Sequence, residues 1–146
     1  MPIAESERER RRACLTAHLQ AELERNLPGV MKTFAEKTEM IYNGQVFRDH
    51  DHIAQAHEYI GFTGPGAFEV LSGTIEREWF TDDEIVIEQR LVAKHVGEFQ
   101  GFAPTGRTVD LIAVAFYHFD PTGKLISERV VMNLGPLGAL PTWQPK

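Results

Sequence analysis

The stretch from residue 67 to 133 leaves this chain few folds to choose from, because it reads as four long strands in succession. They are expected over 67–80, 84–96, 107–119 and 124–133, with turns at Thr81-Asp82-Asp83 and Asp120-Pro121-Thr122-Gly123. Sequential strands joined by short turns make an antiparallel meander. In the second strand Ile85, Ile87, Leu91, Ala93 and His95 share one face, while Glu88, Arg90 and Lys94 share the other. The third strand is apolar on both faces: Val109, Leu111, Ala113 and Ala115 alternate with Ile112, Val114 and Phe116. Such a strand needs cover on both sides. Helices supply one cover, and a second copy of the sheet, as a homodimer, is the simplest other.

The helices belong to the first 60 residues. Leu15, Leu19 and Leu23 give an apolar stripe to a helix ending near Asn26, and Ser6 with Glu9 has the pattern of a capping box. Asn26 before Leu27-Pro28-Gly29 starts a short second helix. A brief strand over 38–42 ends at Asn43-Gly44, and Asp49 or Asp51 caps a third helix carrying Ile53, Ala56, Tyr59 and Ile60. The tail offers one turn of helix over 135–140. The fold class is therefore α+β, in one domain spanning 1–146 with a core of 6–140.

Composition closes off several functions. The 146 residues carry a formal charge of −6, which disfavours nucleic acid as a partner. No apolar run approaches the roughly 20 residues of a membrane span. A charged N-terminus and a lone Cys14 point to the cytoplasm and exclude an internal disulfide. His50, His52 and His57 superficially resemble metal ligands, but His52 and His57 stand five apart rather than four, so a helix cap and a polar helix face explain them and no metal is expected.

Between the second and third strands lies HVGEFQGFAPTGR, residues 95–107, whose glycines and proline demand a shaped hairpin connection. With His95, Gly97, Phe99, Gly101, Pro104, Thr105, Gly106 and Arg107 in this pattern, the chain resembles the SnoaL-like polyketide cyclase or ester cyclase family, of the nuclear-transport-factor-like, cystatin-like superfold. The resemblance extends from residues 17–37 to residues 123–134. It implies a cone-shaped α+β barrel, with N-terminal helices packed on a curved, mostly antiparallel sheet. It also implies an apolar pocket, a dimer, and no metal or organic cofactor. The implied activity is acid/base chemistry on a small apolar or polyketide-like molecule: a cyclase, isomerase or lyase removing a proton next to a carbonyl. Members often carry an aspartate acid/base where this chain has Asn133, and a tyrosine where it has Val131.

That replacement passes the expected base to His95, which lies on the apolar parity of its strand and carries an imidazole, the side-chain type suited to acid/base work near neutral pH. Asn133 and Tyr42 are the expected hydrogen-bond donors to an oxyanion. His118 and Asp110 are further candidates, with Asp110 better suited to pairing with Arg90, Arg107 or Arg129 than to acting as a base. Phe99, Phe102, Arg129 and Val131 are the expected pocket wall. Glu128 and Arg129 face opposite sides of the last strand, so only one enters the pocket. Asparagine exchanges no proton near neutral pH, so the alternative is a non-catalytic small-molecule-binding module with a lapsed site.

Overall fold

A computed structural model describes residues 3–64, 66–138 and 145–146. Helix α1 (Glu5–Leu23), the short α2 (Leu27–Met31) and α3 (His50–Ile60) lie against one face of a six-stranded sheet. Its strands are β1 (Phe34–Tyr42), β2 (Gln45–Phe47), β3 (Phe68–Phe80), β4 (Glu84–His95), β5 (Thr108–Phe119) and β6 (Leu125–Met132), in the order β2-β1-β6-β5-β4-β3. Only β1 and β6 run parallel; the other neighbours are antiparallel. The last four strands are the expected meander. The brief first strand is longer than expected, because Phe34 already pairs with Leu125. Asn43-Gly44 turns it into the additional strand β2.

Two helix starts follow the expected chemistry: Asn26 accepts the Gly29 amide at 3.0 Å, and Asp49 accepts that of His52 at 2.8 Å. The capping box does not form. The first helix begins at Glu5, behind Ala4, so Ser6 falls inside the first turn and has no cap to make. At the tail a 3-10 turn spans Gly135–Leu137; residues 139–140 of the expected turn lie outside the described residues.

The sheet has an inner and an outer face. Ile85, Ile87, Leu91 and Ala93 of β4, Val109, Leu111, Ala113, Ala115 and Tyr117 of β5, and Leu125, Val130 and Met132 of β6 point inward and are buried. Bulges in β3 at Val70/Ser72 and Ile75/Arg77 bend its pairing with β4, as a curving sheet requires. The outer face leaves Ile112 and Val131 about half exposed. On α1 the buried face is not the leucine stripe. It runs through Arg11, Leu15, His18 and Glu22, at steps of four, three and four, while Leu23 is half exposed.

Candidate functional site

Four titratable side chains meet where α1, α3 and β6 face one another. His18 and Glu22 lie one turn apart on α1, and His57 sits near the end of α3. Glu128 points inward from the middle of β6, between Met40 of β1 and Tyr117 of β5. All four are buried, both histidines completely. His18 Nε2 is 3.2 Å from Glu22 Oε1 and 3.4 Å from Glu128 Oε2; His57 Nε2 is 3.3 and 3.9 Å from the same two atoms. Phe34 and Tyr117 stand edge-on to His18, and Phe34 and Phe62 border His57.

The outward-facing nitrogens fix both rings. His57 Nδ1 lies 2.8 Å from the carbonyl oxygen of Ile53, which only accepts, so Nδ1 carries a proton. His18 Nδ1 lies 2.8 Å from Thr33 Oγ1, whose own hydrogen goes to the Val30 carbonyl at 2.6 Å, so this nitrogen also donates. Both Nε2 atoms therefore aim at the carboxylates. Burial pushes both imidazoles toward the neutral form, but Glu22 and Glu128 outweigh it and raise their pKa values. Burial likewise raises Glu22, and the two histidines more than reverse it.

An apolar cavity of about 130 Å³ opens between α1 and strands β3 and β4. Leu19, Leu23, Phe62, Ile75 and Leu91 form its walls, and Gly73 leaves room in β3. Thr74 and Gln89 contribute neutral polar groups, and among the described residues Glu22 is the only charged side chain on its lining. The cavity thus reaches the buried quartet through one carboxylate.

The candidates from the sequence are scattered around this site rather than gathered in it. His95 is fully buried against Phe68, and its Nδ1 accepts the Thr105 amide at 3.2 Å. That bond ties the start of the 95–107 connection to its end, and His95 is not on the cavity lining. Tyr42 is inside, with burial raising its pKa and its hydroxyl 3.7 Å from Met132 Sδ. Asn133 is exposed, one residue past β6, and its Oδ1 accepts the Gly135 amide at 2.9 Å. It alternates with inward-facing Met132, so it belongs with Val131 and Arg129 on the outer side. Arg129 lies over the Phe116 ring there.

Asp110 is also outside, held by Arg90 through a two-pronged ion pair whose hydrogen bonds keep its carboxyl below the usual range. His118 is half-buried on that same parity. These placements correct the expectation that Asn133, Asp110, His118, Arg129 and Val131 approach a pocket: strand parity sends all five away from the helices. Phe99 does fold inward, packed on Tyr42, Tyr59 and Phe68, and it seals that end of the cone together with half-buried Phe102. Among the three histidines of residues 50–57, His57 is no polar-face residue. It is the buried one, and its partners come from other elements.

The comparisons agree with this architecture. The model of the SnoaL-like polyketide cyclase family matches residues 32–139. A candidate SnoaL-like polyketide cyclase from Jannaschia sp. CCS1 superposes with a TM-score of 0.74 at 18% identity, covering 91% of this chain and 94% of its own. AclR, a candidate hydroxylase from Streptomyces galilaeus, gives 0.70 at 24% identity over 90% and 97%. A protein of ketosteroid isomerase-like fold from Catenulispora acidiphila gives 0.69 at 16% identity over 90% and 97%. No curated protein matches the chain. Helices on the inner face of a curved sheet, with a family match running from the residue after α2 to the tail, lead to one conclusion: the chain belongs to the SnoaL-like polyketide cyclase family.

Proposed function

We propose that the protein takes a small apolar or polyketide-like molecule into the cavity between α1 and β3–β4 and removes a proton next to a carbonyl group, as a cyclase, isomerase or lyase. One observation carries the reading: Glu22, the only charged group lining this apolar cavity among the described residues, belongs to a buried cluster of two histidines and two glutamates. A carboxylate beside the ligand serves as proton acceptor, His18 and His57 hold that carboxylate in place from behind, and Thr74 and Gln89 are the lining polar groups that can meet the oxygen on which negative charge develops. Leu19, Phe62 and Leu91 exclude water, which strengthens both effects. A void of this size admits about one six-membered ring, so a larger substrate would extend past Leu23 and Ile75 toward solvent.

Family membership supports the class of chemistry, and the neighbours include SalBIII, described as an epoxide hydrolase/cyclase-like enzyme of pyran ring formation. No organic cofactor is needed for such a step. Asn133, lying outside the cone, gives no support to a lapsed active site.

The decisive variant is Glu22→Gln, which keeps the shape and removes the base. Turnover of a carbonyl substrate found by thermal-shift screening should fall by about 10²–10⁴-fold, with the circular dichroism of the wild type. Undiminished turnover would refute the assignment.

The reading includes a homodimer through the outer sheet face, where Ile112 and Val131 are about half exposed beside Val114 and Phe116, and a cytoplasmic setting for the free Cys14. A monomer by light scattering at micromolar concentration would remove the dimer.

A further inference from the structure

We infer that His18, Glu22, His57 and Glu128 form a binding site for one divalent transition-metal cation of the Zn²⁺ class. The inference deepens the proposed function, on which its catalytic meaning rests, and it departs from the metal-free site expected from the sequence. The binding claim stands on the geometry of the four side chains alone.

Three features point to a cation. The four donor atoms lie within 4.8 Å of one another, and four of their separations are 3.2, 3.3, 3.4 and 3.9 Å. Donors bound tetrahedrally at Zn–N and Zn–O distances of about 2.0–2.1 Å stand about 3.4 Å apart, so three of the four separations already suit one ion. His18 Nε2, His57 Nε2 and Glu128 Oε2 are buried and make no well-aligned hydrogen bond, only the ion-pair contacts of 3.2–3.9 Å with their neighbours in the cluster. Groups so placed are costly unless something satisfies them, and an ion among them satisfies all three together. Finally, the outward nitrogens are already held: the Ile53 carbonyl and the Thr33 hydroxyl accept from Nδ1 and present Nε2 inward. Hydrogen bonds of this kind, made by the nitrogen that faces away from the ion, orient metal-ligating histidines.

The donor set also fits in charge and type. Once an ion displaces the two Nε2 protons, two neutral imidazoles and two carboxylates carry −2, which one divalent ion neutralises. Mixed nitrogen and oxygen donors suit Zn²⁺, and also Fe²⁺ where coordination positions stay open. His18 and Glu22 at i and i+4 project from one helix face, as paired ligands must. A cation here would stand behind Glu22 at the edge of the cavity and would supply, as a Lewis acid, polarisation of a carbonyl that reaches it.

The test loads the chelator-stripped, full-length protein with ZnCl₂ and, separately, CoCl₂. Metal per chain is read by elemental analysis, cobalt ligation by its visible d–d bands, and stability by thermal unfolding. The expected result is one equivalent per chain, cobalt bands of low-symmetry nitrogen/oxygen coordination, and a raised Tm. His57→Gln and Glu128→Gln should lose stoichiometric binding. Thr33→Val, which removes only the acceptor for His18 Nδ1, should weaken it by about 10–100-fold while remaining folded. The exposed His52→Ala should bind as the wild type does.

Natively folded wild type that takes up neither ion overturns the inference, as does binding lost in His52→Ala and retained in Thr33→Val. Because wild type and Thr33→Val are informative by themselves, poor folding of a ligand variant does not spoil the test. The two proposals separate cleanly. Metal binding with full turnover in Glu22→Gln would keep the site and refute the proposed reaction, whereas no metal binding with turnover lost in Glu22→Gln would do the reverse.

Discussion

Replacing Gly61 by alanine should damage the site from a distance, by forcing apart the backbone that fixes the end of α3. Gly61 has φ +125 and its amide, with that of Phe62, caps the carbonyl of His57 at 3.1 and 3.0 Å. An added Cβ would stand 2.0 Å from the carbonyl oxygen of Phe68. That oxygen cannot swing away as a side chain would, because Phe68 is paired with His95 across β3 and β4. Gly44 is the control: it too has positive φ, +83, but an added Cβ there meets nothing within 4 Å.

The Gly44→Ala variant should therefore cost only the left-handed backbone strain, about 1–2 kcal/mol. Gly61→Ala adds a steric term of about 1–3 kcal/mol, for a total near 4 kcal/mol. At about 2–4 °C per kcal/mol for a chain of this size, the two variants should lose about 4 °C and about 12 °C in Tm. Thermal and urea unfolding followed by circular dichroism would measure both. Recovery of folded Gly44→Ala with no folded Gly61→Ala is the extreme form of the same outcome. Equal losses in the two would refute the argument, since backbone strain alone would then account for both.

Three further outcomes follow from the same geometry. Gly73→Val places methyl groups where Leu91 Cδ2 is already 3.3 Å from an ideal Cβ, so it should narrow the cavity and raise the KM of a ligand bound there about tenfold or more, with Tm little changed; an unaltered KM places the ligand elsewhere. His95→Ala should leave turnover intact while costing about 1–3 kcal/mol, because the Thr105 amide loses its buried acceptor; lost turnover in a folded variant would return His95 to the role of base. Asn43→Ala unpairs the Met132 amide, 2.7 Å from Asn43 Oδ1, and the side chain of Gln100, and should lower stability by about 2 kcal/mol; an unchanged urea midpoint would show that water replaces both bonds.

Much of the scaffold is legible in the order of the residues. Alternation locates four strands to within a residue or two, because a half-buried strand must repeat every second position. Asp49 and Asn26 announce their helices, since the first amide groups of a helix need an acceptor. The parity of Arg90 and Asp110 anticipates their pairing on one sheet face. The site is less legible. Leu15, Leu19 and Leu23 mark a helix face by hydrophobicity, yet the face that turns inward holds Arg11, Leu15, His18 and Glu22. Polar residues on a core stripe read as solvated unless their partners are known.

Sequence alone therefore determined the elements, their periodicity and the shaped connection after His95, all of which depend on neighbours along the chain. Tertiary structure decided which sheet face meets the helices, and with it that Glu128 enters the cone while Asn133 stays outside. It also brought residues 18, 22, 57 and 128 together from three separate elements. A buried charge is tolerable only beside its complement; His18 and Glu22 are one turn apart, but His57 and Glu128, which complete the cluster, lie far from them and from each other in sequence.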